Sequence, residues 1–287
     1  MMNPAVLSHK HTVVWIWIFA IIAAIYSLYT YATMSMPVAD QLEGQWLKSI
    51  PIAHRGLHTN NSEAPENSLI AFEKAFIGGY AIELDVQLSA DDKVVVFHDE
   101  SLKRMTGIDK NLEDCTWEEL SKLRLLDSEY TIPLFAQVLQ LVNGKVPILI
   151  EIKNKGKVGK MEQALYNQIK DYKGKLAVQS FNPYSLKWFR KNAPHIIRGQ
   201  LSGSFKDEDL AWYKKVMLKN LLLNFESKPA FIAYEIEALP KPVVSKQSQR
   251  GSIVLGWTAR SSEQYRQALK YCDNVIFEGL SPKEEIK

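Results

Sequence analysis

The sequence predicts an α/β domain on a mostly parallel sheet, set behind one apolar N-terminal segment. Three observations predict it. From residue 50 onward, short apolar runs alternate with helical stretches, the rhythm of repeated strand–helix units. The 287-residue chain, less its apolar segment, has the length of a single barrel of about 250 residues. No GxGxxG loop follows the first strand, so the usual support for a doubly wound open sheet is missing.

The first element is Val13 to Ala32, an uncharged run of about 20 residues, long enough to cross a bilayer as a helix. Trp15 and Trp17 stand near its start and Tyr26, Tyr29 and Tyr31 near its end, where amphipathic rings meet headgroups. A cleaved signal peptide is the rival, with Thr30-Tyr31-Ala32 as a passable cleavage site. The run is longer than the usual 7–15-residue apolar core of such a peptide, which favours an uncleaved anchor. Lys10 precedes the span, and Asp40, Glu43 and Lys48 follow it. The excess of positive charge on the cytoplasmic side then predicts a cytoplasmic N-terminus and an extracytoplasmic domain. The expected organisation is a tail (1–12), a transmembrane helix or signal anchor (13–34), an amphipathic connector (35–49) and one catalytic domain (50–287).

Strands are expected at Ile50–Ala53, Tyr80–Val86, Val94–His98, Val146–Ile152, Leu176–Ser180, Ile196–Leu201, Phe231–Glu235, Ile253–Trp257 and Asn274–Phe277. Helical stretches are expected between most of them, for example at Ser68–Ile77, Lys160–Tyr172, Tyr184–Asn192, Asp207–Leu222 and Ser262–Tyr271. A closed barrel needs eight strands, and this count exceeds it. The second and third runs are joined too tightly for a helical crossover, so one of them is expected to be peripheral. Residues 103–134 lack the strand–helix rhythm and read as a small excursion over the barrel mouth. The stretches FNPYSLKW and NLLLNFESKPAF read as loops leading into helices.

Composition narrows the function. Hydrophobic residues at 46% and charged residues at 23% are globular values. A formal net charge of +3 leaves no strong nucleic-acid footprint. The one basic run, Lys153, Lys155, Lys157 and Lys160, reads as a solvated loop. Cys115 and Cys272 lie in no CxxC or zinc-like spacing, which argues against a disulfide framework or structural zinc. No obligate protein partner is evident.

The chemistry is expected at strand ends. In Ala81–Val86 side chains alternate, so Glu83 and Asp85 share one face while Ile82, Leu84 and Val86 share the other. Glu151 and Lys153 share a face in the same way. Isolated burial of a carboxylate costs several kcal/mol, and a cation is the natural compensation. Glu83, Asp85 and Glu151 form an all-oxygen set suited to a hard divalent cation, Mg²⁺ or Ca²⁺. The alternative is internal salt bridging, for example Glu151 with Arg55. His54 and His98 each end an apolar strand, and a barrel gathers strand ends at one face. Two imidazoles there can serve as acid and base. Arg55 and Lys153 add charge able to clamp a phosphate. His9, His11, His58 and His195 have no such setting and read as surface or loop residues.

These residues, in this order, resemble the glycerophosphodiester phosphodiesterase family. AHRGLH (Ala53–His58) is similar to its HRG motif, and PENS (Pro65–Ser68) to its PENT/PENS motif. ELDVQLSADDKVVVFHDESLKRMTG (Glu83–Gly107) is similar to its central block, and EIK (Glu151–Lys153) to its later motif. SFNP (Ser180–Pro183) and GWT (Gly256–Thr258) resemble its downstream landmarks.

The resemblance implies a TIM (β/α)8-type barrel with a small insertion after the HD strand. It implies metal ligands at Glu83, Asp85 and Glu151 and acid/base residues at His54 and His98. It implies phosphate contacts at Arg55 and Lys153, a supporting acid at Glu66, and a substrate groove lined by Phe181 and Trp257. Two departures stand out: Trp257-Thr258-Ala259-Arg260 where the family often has WTVN, and Phe277-Glu278 where it often has Thr-Asp. Both are expected to concern the rim and the last strand, and so the leaving-group preference, rather than the metal or the histidines. The reaction implied is hydrolysis of glycerophosphodiesters to glycerol 3-phosphate and an alcohol; His54 is expected as base and His98 as acid, with the reverse assignment left open. The alternatives are a lysophospholipase D-type lipid enzyme on the same scaffold and a non-catalytic tethered binding module.

Overall fold

Eight parallel strands close into a ring in the computed structural model, which describes residues 4–35, 44–59, 61–154 and 156–282, with side chains from residue 14. The strands are β1 (Ile52–Ala53), β2 (Ala81–Leu88), β4 (Ile148–Ile152), β5 (Leu176–Ser180), β6 (Ile197–Ser202), β7 (Phe231–Glu235), β8 (Ile253–Ala259) and β9 (Asn274–Phe277). Parallel pairing runs β1-β2-β4-β5-β6-β7-β8-β9 and returns to β1, so the sheet has no free edge among these eight. The surplus strand is β3 (Val94–Val96), which pairs antiparallel with the far end of β2 and stays outside the ring.

Helices α3 (Leu69–Ile77), α6 (Phe135–Val142), α7 (Lys160–Ile169), α8 (Pro183–Asn192), α9 (Trp212–Lys219), α10 (Asn224–Ser227), α11 (Pro242–Gln249) and α12 (Ser262–Ala268) occupy the connections. Helix α3 starts where Ser68 Oγ accepts the Ala71 N–H, and α8 starts at the Asn182 cap followed by Pro183. The stretch expected to be helical over 207–222 forms only α9, and FNPYSLKW is mostly helix from Pro183. NLLLNFESKPAF leads through short α10 into strand β7 rather than into a helix.

Alternation divides the core into two layers. Ile82, Leu84 and Val86 point outward and pack under α3 beside Phe72 and Ala75. Ala81, Leu149, Ala177, Phe231, Leu255 and Ile276 point inward. Short α2 (Trp46–Ser49) brings Trp46 and Leu47 against this inner set, closing the barrel floor where the strands begin. Trp46 is 2% exposed, and Asn274 Nδ2 donates to the carbonyls of Leu47 and Ile50 to hold the floor.

Residues 103–134 form the expected excursion, with short α4 (Lys103–Thr106) and α5 (Trp117–Leu120) and a small core of their own. The apolar segment is one helix, α1 (Pro4–Ala32), and its stretch Val14–Ala32 is exposed or half-buried throughout, long and apolar enough to cross a membrane. Most of the expected connector, residues 36–43, lies outside the described residues, as does Lys155 of the basic run; His9 and His11 lie outside the described side chains.

Candidate active site

The carboxylates meet because of register. Asp85 on β2 stands beside Glu151 on β4, which stands beside Gln179 on β5. Glu83 lies two residues below Asp85 on the same face. Glu83 and Asp85 are each 1% exposed and Glu151 is 7% exposed. Ligand oxygens from the three lie within 4.8 Å of one another.

Each carboxylate has partners, and the set is incomplete. Glu83 accepts the Arg55 N–H at 3.0 Å and Gln179 Nε2 at 3.4 Å. Asp85 accepts Asn67 Nδ2 at 2.9 Å, while its own N–H donates to Asn67 Oδ1 at 3.3 Å. Lys153 Nζ lies 3.4 Å from Asp85 Oδ1 and 2.9 Å from Glu151 Oε1, yet neither oxygen has an aligned hydrogen-bond donor. Two buried carboxylate oxygens left without donors beside a third carboxylate fit a hard cation with oxygen ligands. Internal ion pairing does form among these groups, though not through the example of Glu151 with Arg55. Glu151 pairs with Lys153, while Arg55 pairs with Glu66 at 2.7 Å and lies 3.5 Å from Asp85.

Electrostatics follow from this crowding. Burial, then the charges of Asp85 and Glu151, push the Glu83 carboxyl well above its ordinary value. Asp85 is buried too, but Lys153, His98 and Arg55 around it hold its carboxyl far below the usual range. Burial opposes the charge on Lys153, yet Glu151 and Asp85 raise its ammonium pKa above the ordinary value.

His54 follows β1 and His98 follows β3, and both line one cavity of about 100 Å³ with Arg55, Glu83, Glu151 and Lys153. The HRG turn that presents His54 needs its glycine: Gly56 has φ +82°, and a Cβ there would lie 2.8 Å from the Ala71 backbone. His54 Nδ1 lies 3.0 Å from Glu278 Oε2, and His98 Nδ1 lies 2.7 Å from Asp99 Oδ1. An ionised carboxylate only accepts, so Nδ1 carries the proton in each pair. Burial lowers the His54 pKa to about 4, against the raising effect of Glu278.

Expectation and structure part at the last strand. Glu278 was expected to concern the rim and the last strand rather than the histidines, but it bonds His54 directly and lies 3.4 Å from Arg260. The second departure therefore bears on a histidine directly, and the first meets it only through the Arg260–Glu278 pair. His58 was expected to be a surface or loop residue; it lies in a loop, but it is 5% exposed, lies 4.0 Å from Glu278 Oε1, and has no hydrogen bond at either ring nitrogen. Lys153, part of the run read as solvated, is largely buried against the carboxylates, with 22% side-chain exposure.

Several contributors were missed from sequence. Asn67, Gln179, Asp99 and Arg104 reach the site, and Arg104 bridges Asp99 to Glu66 at 2.6 Å on each side. All but Gln179 fall inside the quoted motifs, and the register beside Glu151 was the available signal for Gln179. Phe181 and Trp257 line the cavity and meet edge to face at 5.6 Å; Phe205 adds a further ring at 5.8 Å from Phe181. Glu66, 7% exposed, touches Arg55 and Arg104 and is not part of the carboxylate cluster.

A family model for the glycerophosphoryl diester phosphodiesterase family matches residues 54–278. A glycerophosphodiester phosphodiesterase of Bacillus altitudinis is 31% identical over 237 residues, covering 78% of this chain and 92% of its own. The crystal structure of a glycerophosphodiester phosphodiesterase from Thermotoga maritima is 29% identical, with a TM-score of 0.66, covering 83% of this chain and 98% of that one. An Oleispira antarctica phosphodiesterase, solved in complex with the product sn-glycerol-3-phosphate, shares the fold at a TM-score of 0.69 and 23% identity, covering 83% and 96%. The chain belongs to the glycerophosphoryl diester phosphodiesterase family and is a phosphoric diester hydrolase.

Proposed function

We propose that Glu83, Asp85 and Glu151 hold a divalent cation, Mg²⁺ or Ca²⁺, and that His54 and His98 move the protons of glycerophosphodiester hydrolysis. The observation that carries this reading is the clustering of three buried carboxylates, two of which, Glu83 and Glu151, line one cavity with both imidazoles. When bound, the cation supplies charge neutralisation at a non-bridging phosphate oxygen. Arg55 and Lys153 orient the phosphate and share its charge. Glu66 keeps Arg55 in place from the side away from the cavity.

His54, with Nδ1 bound to Glu278, uses Nε2 to take a proton from the attacking oxygen. The new P–O bond forms as the P–O bond to the leaving alkoxide breaks, and His98 gives that alkoxide a proton. Phe181 and Trp257 flank the substrate. The products are glycerol 3-phosphate and an alcohol. Helix α1 tethers the enzyme to a membrane.

The test is release of glycerol 3-phosphate from glycerophosphocholine, with and without a chelator, by the natural protein and by Asp85→Ala. Activity lost to the chelator, restored by added Mg²⁺ or Ca²⁺, and absent in the variant is the expected result. Full activity of Asp85→Ala under chelation would refute the metal site.

A further inference from the structure

The two ends of the barrel carry different surfaces. At the floor, where helices end and strands begin, exposed Lys145, Lys170, Lys173, Lys175 and Lys270 stand in the loops before β4, β5 and β9, and exposed Lys191 lies in the last turn of α8 ahead of β6. Among the described residues of those loops the acids are Asp171 and Asp273, and Asp273 is paired with Lys48 at 3.4 Å. Between the lysines the floor exposes apolar side chains: Ile77 (74%), Leu269 (40%) and Tyr271 (45%). The insertion beside the mouth carries more acids than bases over 103–134.

Helix α1 meets the barrel at this same end. Gln247 Nε2 donates to the Thr33 carbonyl at 2.8 Å, and Lys246 Nζ lies 4.5 Å from the Tyr26 ring and 5.0 Å from the Tyr29 ring. Both partners belong to the last turn of α11, the turn nearest the floor. Tyr31 stacks on Phe225 of α10, just ahead of β7. Residues 14–28 are all exposed, so the helix leaves the barrel from the floor rather than climbing its flank.

We propose that the floor of the barrel seats on an anionic phospholipid bilayer, so that the mouth opens to water and the enzyme takes water-borne diesters rather than bilayer-resident lysophospholipids. This rests on the reading of α1 as a membrane anchor and of the mouth as the phosphodiester site. A polybasic surface beside a span is drawn to anionic headgroups within about a Debye length, ~8 Å at physiological salt. Exposed aromatic and aliphatic side chains among those lysines enter the same interfacial layer. The reacting groups sit at the opposite strand ends, and five residues of strand rise about 17 Å. The opposite seating would bring the mouth to lipid, with exposed Trp212 and Tyr213 at the start of α9 as its contacts.

The test uses the full chain in vesicles of phosphatidylcholine with phosphatidylglycerol carrying a headgroup quencher. Cys115 and Cys272 are buried, so a fluorophore can be attached at Lys173→Cys on the floor or Asp109→Cys beside the mouth. The floor label is expected to lose at least about half of its emission and the mouth label almost none. In Lys170→Glu/Lys175→Glu the floor quenching should fall at least twofold. Quenching at the mouth, at both positions or at neither would overturn the seating. Glycerophosphocholine in water should turn over at least tenfold faster than lysophosphatidylcholine in the same bilayer, and equal rates would overturn the substrate assignment. Hydrolysis of neither compound, with the floor label still quenched, would refute the assigned reaction while supporting the seating.

Discussion

His54 and His98 each give Nδ1 to a carboxylate, but their surroundings differ. His54 is enclosed and His98 has 30% side-chain exposure. With its pKa near 4, His54 is neutral across the physiological range and ready to accept a proton. The unfolded chain takes that proton near the ordinary 6.5, so His54 contributes stability that is present above pH 6.5 and lost as pH falls toward 4. Either His54→Ala or His98→Ala should cut turnover about 10²–10⁴-fold, the usual contribution of a positioned acid or base. A nitrophenyl phosphodiester needs little protonation of its leaving group. It should rescue His98→Ala more than His54→Ala, and the reverse pattern would exchange the two roles. Glu278→Gln should cost less than His54→Ala while leaving divalent-ion affinity unchanged by calorimetry. Glu83 gives a test of opposite sign. Its raised pKa means that its contribution is full below pH 4.5 and declines as pH rises through the folded value. In chelated protein at pH 8, Glu83→Gln should therefore raise Tm, each 1 kcal/mol appearing as about 2–4 °C. The same variant should lose the Tm rise that Mg²⁺ or Ca²⁺ gives the natural protein. A Tm that falls in chelated Glu83→Gln would refute the crowding argument.

Element by element, what was legible in sequence was what depends on period and what sits at strand ends. Alternation along Ala81–Val86 placed Glu83 and Asp85 inward, and the tight link after it made β3 peripheral to the eight-strand ring. Helices α6 and α11 fall between strands, as the rhythm implies, but were not among the stretches named from sequence. Harder to read was anything set by tertiary return of the chain. Glu278 meets His54 only because β9 closes the ring against β1, a pairing 224 residues apart. His58 is buried by the same closure. Trp46 falls within the expected connector, yet it forms the barrel floor with Leu47. Trp46→Ala should cost about 3–5 kcal/mol, the usual range for a buried aromatic deleted to alanine. Because Trp46 lies at the strand starts and His54 at a strand end, KM should stay within about twofold while the denaturation midpoint falls. A variant as stable as the natural protein would show that the floor does not need this ring.

For the molecule as a whole, the separation of the apolar helix from the barrel decides how the parts depend on each other. Helix α1 and the residues after it touch the barrel from Tyr26 onward: Tyr26 and Tyr29 with Lys246, Tyr29 also against the cluster that holds Leu221, Val243 and Val254, Tyr31 with Phe225, Thr33 with Gln247 and Arg250, and Ser35 with Asn224 at 3.2 Å. None of these reaches the inner core or the cavity. Removal of residues 1–35 should thus release a soluble protein whose turnover of glycerophosphocholine stays within about twofold. Removal of residues 1–50 also takes Trp46 and Leu47 from the floor and frees Asn274 Nδ2 from its two carbonyls. That loss combines a large cavity with a buried donor left unpaired, each a mechanism of severe destabilisation. Differential scanning of the two truncations against the natural chain reads the boundary directly. A 36–287 protein that fails to fold would make α1 part of the domain, and a 51–287 protein as stable as the longer one would move the boundary past the floor helix.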